Sequence, residues 1–230
     1  SKILVHPSNA NKIYVAADLN YRVWTHGGES GFFESKNGGS TWERLHIGEV
    51  TDAVMDPDSP SIMYVGIRDQ GLYRVTNEEE RWDWNLVYPS SNVTFPPGEQ
   101  IQLSTIKIAL GRQGDPTSPL VAVKFHKQLF TNTRAGLGEW HGAGDVGQWG
   151  DLDQSESCNV IAIDPFNNNV ILSGLQDLYR TLDGGANGNQ SWVKVAGYNM
   201  SVHSDQMNIV FDPSNIKIVY LANDGGVYRS

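Results

Sequence analysis

The sequence predicts an all-β protein, a β-propeller of four-stranded antiparallel blades with about four and a half blades in 230 residues. Three observations carry that reading. A proline closing a short apolar run recurs at Pro7, Pro57, Pro116, Pro165 and Pro213, preceded by aspartate in every copy but the first. The intervals are 50, 59, 49 and 48 residues, near the roughly 40–50 residues of one propeller blade. Each interval holds short runs rich in Val, Ile and Tyr bounded by Asn, Asp, Gly or Pro, the pattern of strands joined by tight turns.

The first blade, approximately residues 1–48, reads as strands over Ile3–His6, Lys12–Ala16 and Gly31–Glu34, then the turn Ser35-Lys36-Asn37-Gly38-Gly39-Ser40-Thr41-Trp42. The second, 49–98, offers Ala53–Met55, Ile62–Gly66 and Gly71–Arg74, and a degenerate turn ending at Trp82-Asp83-Trp84. The third, 99–150, is the most divergent: Ile106–Leu110, Leu120–Val123, Gln128–Phe130 and Trp140, after a Pro/Ser-rich insert over 89–100 that accounts for the longest interval. The fourth, 151–201, runs Val160–Ile163, Val170–Gly174, Asp177–Arg180 and Asp183-Gly184-Gly185 through Ser191-Trp192. The fifth, 202–230, gives Met207–Phe211, Ile216–Leu221 and an Asn223–Gly226 turn into Val227-Tyr228-Arg229, without a fourth strand or its tryptophan. The expectation is one domain, part of a propeller of six or more blades or one whose open blade a neighbouring chain completes.

Composition narrows the function classes. The net charge of −9 argues against nucleic acid, whose phosphates need a basic face. No apolar run reaches the roughly 18 residues that span a bilayer, so membrane insertion is not expected. Cys158 is the single cysteine and has no internal disulfide partner. Sequons at Asn92, Asn189 and Asn199 fit a secreted or cell-surface glycoprotein.

The turn from Ser35 to Trp42 resembles an Asp-box, the S-x-D-x-G-x-T-W hairpin of bacterial neuraminidase-type repeats, with Asn37 in the aspartate place. Thr181-Leu182-Asp183-Gly184-Gly185 with Ser191-Trp192 resembles a second box carrying a short insertion. Together with the Asp-Pro turns and Asp224-Gly225-Gly226-Val227-Tyr228-Arg229-Ser230, the chain is similar over its length to sortilin-like and xyloglucanase-like propellers. The resemblance implies a fold and leaves the activity open, because sialidases, xyloglucanases, sorting receptors and assembly factors share these repeats. It implies structural roles for Asn37, Asp183, Trp42 and Trp192: the turn side chains bond backbone N–H groups and the indoles pack between sheets.

Strand alternation places the Asp-Pro turns and box hairpins at one end of the blades, and the blade entries and second-to-third-strand loops at the other. The second end collects polar side chains: Glu49, Asp52, Glu99, Gln102, Asp151, Asp153, Glu156, His203, Asp205 and Gln206 at the entries, with Asp18, Arg68, Asp69, His126, Gln176, Asp177, Asn223 and Asp224 in the loops. Loops of this kind are where propellers bind ligands. Three readings compete. The acids cap strands and form turns; or Asp151, Asp153 and Glu156 supply oxygen ligands for calcium; or two acids, with Asp153, Asp205 and His203 as candidates, hydrolyse a glycosidic bond. Trp24, Trp149, Asp177 and Asp224 are candidate ligand contacts, the indoles suiting sugar faces and protein hot spots alike. The function expected is a protein- or glycan-binding or assembly module needing no cofactor, with a glycoside hydrolase as the alternative.

Overall fold

The computed structural model describes residues 2–18, 29–89, 105–112, 120–125, 127–145, 158–197, 199–215 and 217–230. The fold is all-β, a β-propeller whose described residues form five antiparallel sheets, four of four strands and one of three. Strands follow one another across each sheet in sequence order, because tight turns join neighbours. The chain divides into two compact units, Ser1–Ser91 and Asn92–Ser230.

The first unit holds two sheets. One comprises β1 (Lys2–His6), β2 (Asn9–Ala17), β3 (Gly31–Ser35) and β4 (Glu43–Ile47); the other comprises β5 (Val50–Met55), β6 (Ile62–Ile67), β7 (Gly71–Glu78) and β8 (Arg81–Tyr88). Tyr14, Ala16 and Phe32 of the first sheet pack on Val50, Met63, Val65 and Val75 of the second. Trp82 and Trp84, two residues apart and so on one face of β8, reach across to Tyr14 and Phe32 edge-on at 5.8 and 5.9 Å between ring centres. That is the favoured geometry for aromatic pairs.

The second turn departs from the repeat for a visible reason. Glu79 and Glu80 join β7 to β8 with φ of 51° and 64°, a two-residue hairpin with both central residues left-handed, matched to strand twist. Such a hairpin leaves no room for an inserted box.

The second unit holds three sheets: β9 (Ile106–Leu110), β10 (Val121–Phe125), β11 (Gln128–Asn132) and β12 (His141–Asp145); then β13 (Val160–Asp164), β14 (Asn167–Gly174), β15 (Leu178–Thr181) and β16 (Val193–Ala196); then β17 (Gln206–Phe211), β18 (Val219–Asn223) and β19 (Gly226–Arg229). First strands adjoin, β13 lying beside both β9 and β17. Sheet three contributes small residues, Ala109, Ala122 and Ala143, against the larger Ile163, Ile171, Tyr179 and Trp192 of sheet four, so small side chains face large ones across the layers. Sheet four turns Val160, Leu172 and Leu178 towards Ile209 and Leu221 of sheet five.

The hairpin turns between third and fourth strands are hydrogen-bonded as their side chains demand. Asn37 Oδ1 accepts from the Ser35 hydroxyl at 3.0 Å and the Thr41 N–H at 2.8 Å. Asp183 occupies the same place and accepts from the Thr181 hydroxyl at 2.6 Å, Gly185 N–H at 3.0 Å, and Asn187 Nδ2 and Ser191 Oγ both at 2.9 Å. Burial pushes its carboxyl pKa up, but the bonds from Thr181, Ser191, Asn187 and Gly185 outweigh it and hold the value down at about 2. A carboxylate depressed in the folded state stabilises above its unfolded pKa, and that stability is lost as pH falls through the folded one. Asp183→Ala should therefore cost about 1–3 kcal/mol at pH 7 and less as pH is lowered from 4 towards 2. Asp183→Asn keeps the Oδ1 contacts that Asn37 makes but turns an amide NH2 on the Asn187 Nδ2 donor, so it should lose part of that stability at pH 7 and less than the alanine variant. Urea unfolding of the three proteins at pH 7, 4 and 2.5 checks both statements; equal losses for the two variants would contradict them.

The two indoles of these hairpins part company. Trp192 is buried and its Nε1 donates to Ala143 O in the adjoining sheet at 2.7 Å. Trp42 is 45% exposed, so the expectation that it packs between sheets is corrected.

The Asp-Pro turns at Asp56 and Asp212 are Asx turns: Asp56 Oδ1 accepts from Asp58 and Ser59 N–H at 2.9 and 3.1 Å, and Asp212 Oδ1 from Ser214 and Asn215 N–H at 2.9 and 3.1 Å. The turns between first and second strands lie beside the hairpin turns, as Gly38 N–H to Asn11 O and Gly184 N–H to Asn169 O show. Blade entries sit beside the second-to-third-strand loops at the other end, tied by Arg68 N–H to Glu49 O and Gln206 N–H to Leu175 O, both 2.8 Å.

Candidate functional site

Each unit brings polar side chains together at its entry end, with different outcomes. In the first unit the charges neutralise one another. Arg68 spans Asp18 at 3.3 Å and Glu49 at 2.6 Å, and Lys2 meets Asp52 at 3.1 Å. Such partly exposed pairs contribute about 0–1 kcal/mol each. These groups hold loop to entry, and their charge is already spent.

The second unit combines ion pairs with amide clamps and unpartnered polar atoms, of which the first unit's entry end also holds one, Asp18 Oδ1. Gln206 opens β17 fully buried, its Nε2 donating to Gln176 O at 2.7 Å and His203 O at 2.9 Å. Asn223, at the end of β18, donates from Nδ2 to the same His203 carbonyl at 2.9 Å. Two primary amides thus clamp the turn ahead of β17, and Asp205 N–H adds a bond of 2.9 Å to Gln176 O. Held this way, Asp205 sits at φ 66°, a left-handed conformation that aspartate tolerates better than most residues.

The clamp presents one unsatisfied group, and it is repeated. Asp205 Oδ1, just before β17, is buried with no hydrogen-bond partner among the described residues. Asn159, just before β13, is 4% exposed with both Oδ1 and Nδ2 unpartnered. Thr105, just before β9, is 6% exposed and its Oγ1 is unpartnered. Each of three adjoining first strands is therefore preceded by a residue with a buried side-chain atom that no described residue partners, although Asp205 itself is half-buried and its Oδ2 accepts from Ser204 Oγ at 3.4 Å. An unmet polar group of this kind costs about 1–3 kcal/mol, which makes the same cost at three equivalent places a feature to be explained.

The charged side chains nearby have partners. Asp177, mostly buried, accepts from Lys194 Nζ at 2.6 Å. Burial and the Asp177 carboxylate push the Tyr179 hydroxyl up to about 12. Lys124 is fully buried in β10 and donates to Gly174 O, at the end of β14, at 2.8 Å. Burial drives its amine down to about 7, with Lys107 adding to the fall and Asp145 opposing it.

The sequence-expected site residues are only partly brought together. His203, Asp205, Gln206, Gln176, Asp177 and Asn223 share the clamp. Asp224 is exposed in the β18–β19 turn, and Asp177 is neutralised by Lys194. Asn189 and Asn199 are exposed, and Asn189 Oδ1 accepts from Asp145 N–H at 2.6 Å. Trp24, Asn92, Glu99, Gln102, His126, Trp149, Asp151, Asp153 and Glu156 lie outside the described residues, and with them the candidate calcium ligands. Among the described residues no three His, Cys, Asp or Glu side chains converge to hold a metal ion. Sequence reading passed over Thr105, Asn159 and Lys124. A polar residue immediately ahead of each first strand was the available signal for the first two, and a lysine inside the apolar run Val121–Phe125 for the third.

No family model and no curated protein matches the chain. Solved structures do. The GH74 xyloglucanase of Xanthomonas campestris superposes with a TM-score of 0.61 at 14% identity, and the GH74 enzyme of Niastella koreensis with 0.61 at 17%. Both alignments cover 100% of this chain and 36% of the other. The chain thus spans about a third of those proteins, and at such identity the likeness is one of fold. Among the described residues no helix is long and apolar enough to cross a membrane.

Proposed function

We propose that this chain is a glycan-recognition module whose second unit binds a neutral polysaccharide at the entries of β9, β13 and β17. The observation that carries the reading is the recurrence of unpartnered buried polar atoms on Thr105, Asn159 and Asp205. A hydroxyl, a carboxamide and a carboxylate oxygen together offer donors and acceptors of the kind that sugar hydroxyls satisfy. A polyol that displaces what covers these atoms would recover desolvation already suffered, which is how a site discriminates for hydroxyl groups. The net charge of −9 favours an uncharged polymer over an anionic one. Fold likeness to a xyloglucanase makes xyloglucan the first polymer to try. In this reading the two hairpin turns are Asp-boxes of sortilin-like and xyloglucanase-like type, and the chain works outside the cell.

A hydrolase of the same polymer class is the second reading, favoured by those neighbours. It needs two acids about 5–10 Å apart. Asp205 supplies one candidate, while Asp177 is held by Lys194 and Asp153 lies outside the described residues. Incubation with xyloglucan should therefore give retention on the polymer without release of new reducing ends. Release that is abolished by Asp205→Asn would replace the binding reading with the hydrolytic one.

A further inference from the structure

Lys124 stands inside the run Val121–Phe125 of β10, where all five residues are buried. An amine in such a place costs stability, and an apolar side chain of similar length would fill the space without that cost. What the lysine adds is reach. Its Nζ leaves sheet three and donates to the carbonyl of Gly174, the last residue of β14 in sheet four, at 2.8 Å.

Gly174 is a meeting point of the entry end. It is the register partner of Val160, the residue after Asn159. It also packs tightly on sheet five, since a Cβ added to it would come to 3.1 Å from Gln206 Cγ and 2.8 Å from Asp177 O. The loop that leaves it, Leu175-Gln176-Asp177, carries the clamp on β17. Gln206 N–H bonds Leu175 O at 2.8 Å and Asp205 N–H bonds Gln176 O at 2.9 Å, while Gln206 Nε2 adds a second bond to Gln176 O at 2.7 Å. A continuous line of bonds therefore runs from the buried amine, through one carbonyl, to the turn that holds Asp205, and coupling is carried by such lines.

We propose that Lys124 is a positioning residue for the entry site: by holding Gly174 O it fixes the loop Leu175–Asp177, and through that loop the placement of Asp205 and Gln206. The consequence for ligand affinity rests on the glycan reading; the effect on the clamp does not. An ammonium donates a stronger hydrogen bond than a neutral amine, so the clamp is tightest while Lys124 is protonated. Burial drives this amine down to about 7, with Asp145 opposing the fall and Lys107 adding to it, which puts the change of state near neutrality. Asp145 is itself paired with Lys127 at 3.6 Å, and Asp177 of the loop with Lys194 at 2.6 Å. His203 is exposed on the clamp, and its contribution is separated by mutation.

Amide exchange of the whole chain at pH 6 and pH 8.5, each rate divided by that of an unstructured peptide at the same pH, tests the proposal. Protection at Asp205 and Gln206 should fall about fivefold between the two. Core amides of the second unit should move the other way, because discharging a buried ammonium stabilises the fold. Lys124→Met should abolish the fall at the two clamp amides, and His203→Gln should leave it in place. Affinity for xyloglucan oligosaccharides should fall about fivefold over the same range in wild type and stay level in Lys124→Met. Clamp amides that rise with the rest of the second unit would overturn the proposal, since a lysine with only a structural role gives that pattern. So would a fall that survives Lys124→Met or vanishes in His203→Gln, or an oligosaccharide affinity equal at both pH values. A fall confined to the clamp, with no oligosaccharide bound at either pH, would support the role of Lys124 and remove the glycan reading.

Discussion

Trp192→Ala should destabilise the second unit by about 3–5 kcal/mol, the range for removing a large buried aromatic side chain. The indole is 7% exposed, sits among Ala109, Ala122 and Ala143 and holds the Ala143 carbonyl at 2.7 Å. Its surroundings leave little scope for collapse. Gly185 packs so close to Ala143 that a Cβ on it would come to 2.5 Å from the alanine Cβ, and it lies at φ +81°. That glycine is fixed by both conformation and space, so the hairpin carrying the tryptophan is unable to close the cavity. Trp192→Phe should keep most of the packing and lose the hydrogen bond, at about 1–2 kcal/mol. Trp42→Ala, at an indole 45% exposed, should cost under about 1 kcal/mol. Urea unfolding of the three variants should give that order; equal losses at Trp42 and Trp192 would show that the buried contact is not what stabilises the unit.

Lys124→Met should stabilise the protein, and by an amount that depends on pH. The amine is fully buried, and burial pulls its pKa from the ordinary lysine value down to about 7. Below pH 7 the folded state must hold a buried ammonium that the unfolded chain keeps in water. Between pH 7 and about 10 the folded state releases a proton that the unfolded state retains, so wild-type stability rises through that window. Methionine has neither the penalty nor the titration. At pH 6 the variant should be more stable by an amount on the order of 3 kcal/mol, and the gap should shrink steadily towards pH 10. Melting curves across that range test it; a gap constant with pH would show that the amine does not titrate between the two states.

Most of the architecture could be read in the sequence, because its determinants are local. The Asp-Pro turns are Asx turns whose acceptor lies next to the residues it bonds, and Asp183 organises its hairpin within eight residues. What sequence missed depends on neighbours. Whether an indole is covered is decided by the preceding sheet, so Trp42 and Trp192 look alike in sequence and differ in structure. Glu79-Glu80 gives no glycine or asparagine to announce a left-handed turn. Asp177 reads as a free loop acid, yet the β15–β16 register brings Lys194 to it. The site was legible as an end of the blades rich in polar residues. Which of those groups remain unsatisfied was not, since that requires knowing the partner of every other one.

The most direct test of the account is calorimetric titration of the protein with xyloglucan oligosaccharides, comparing wild type with Asn159→Ala and with Glu49→Gln as a first-unit control, at a carboxylate paired with Arg68. The account predicts saturable binding, weakened at least tenfold by the loss of the Asn159 carboxamide and unchanged in the control. A tenfold loss corresponds to about 1.4 kcal/mol, within the range for one buried polar contact. Equal affinity for wild type and Asn159→Ala would contradict it and return those unpartnered atoms to the framework of the fold.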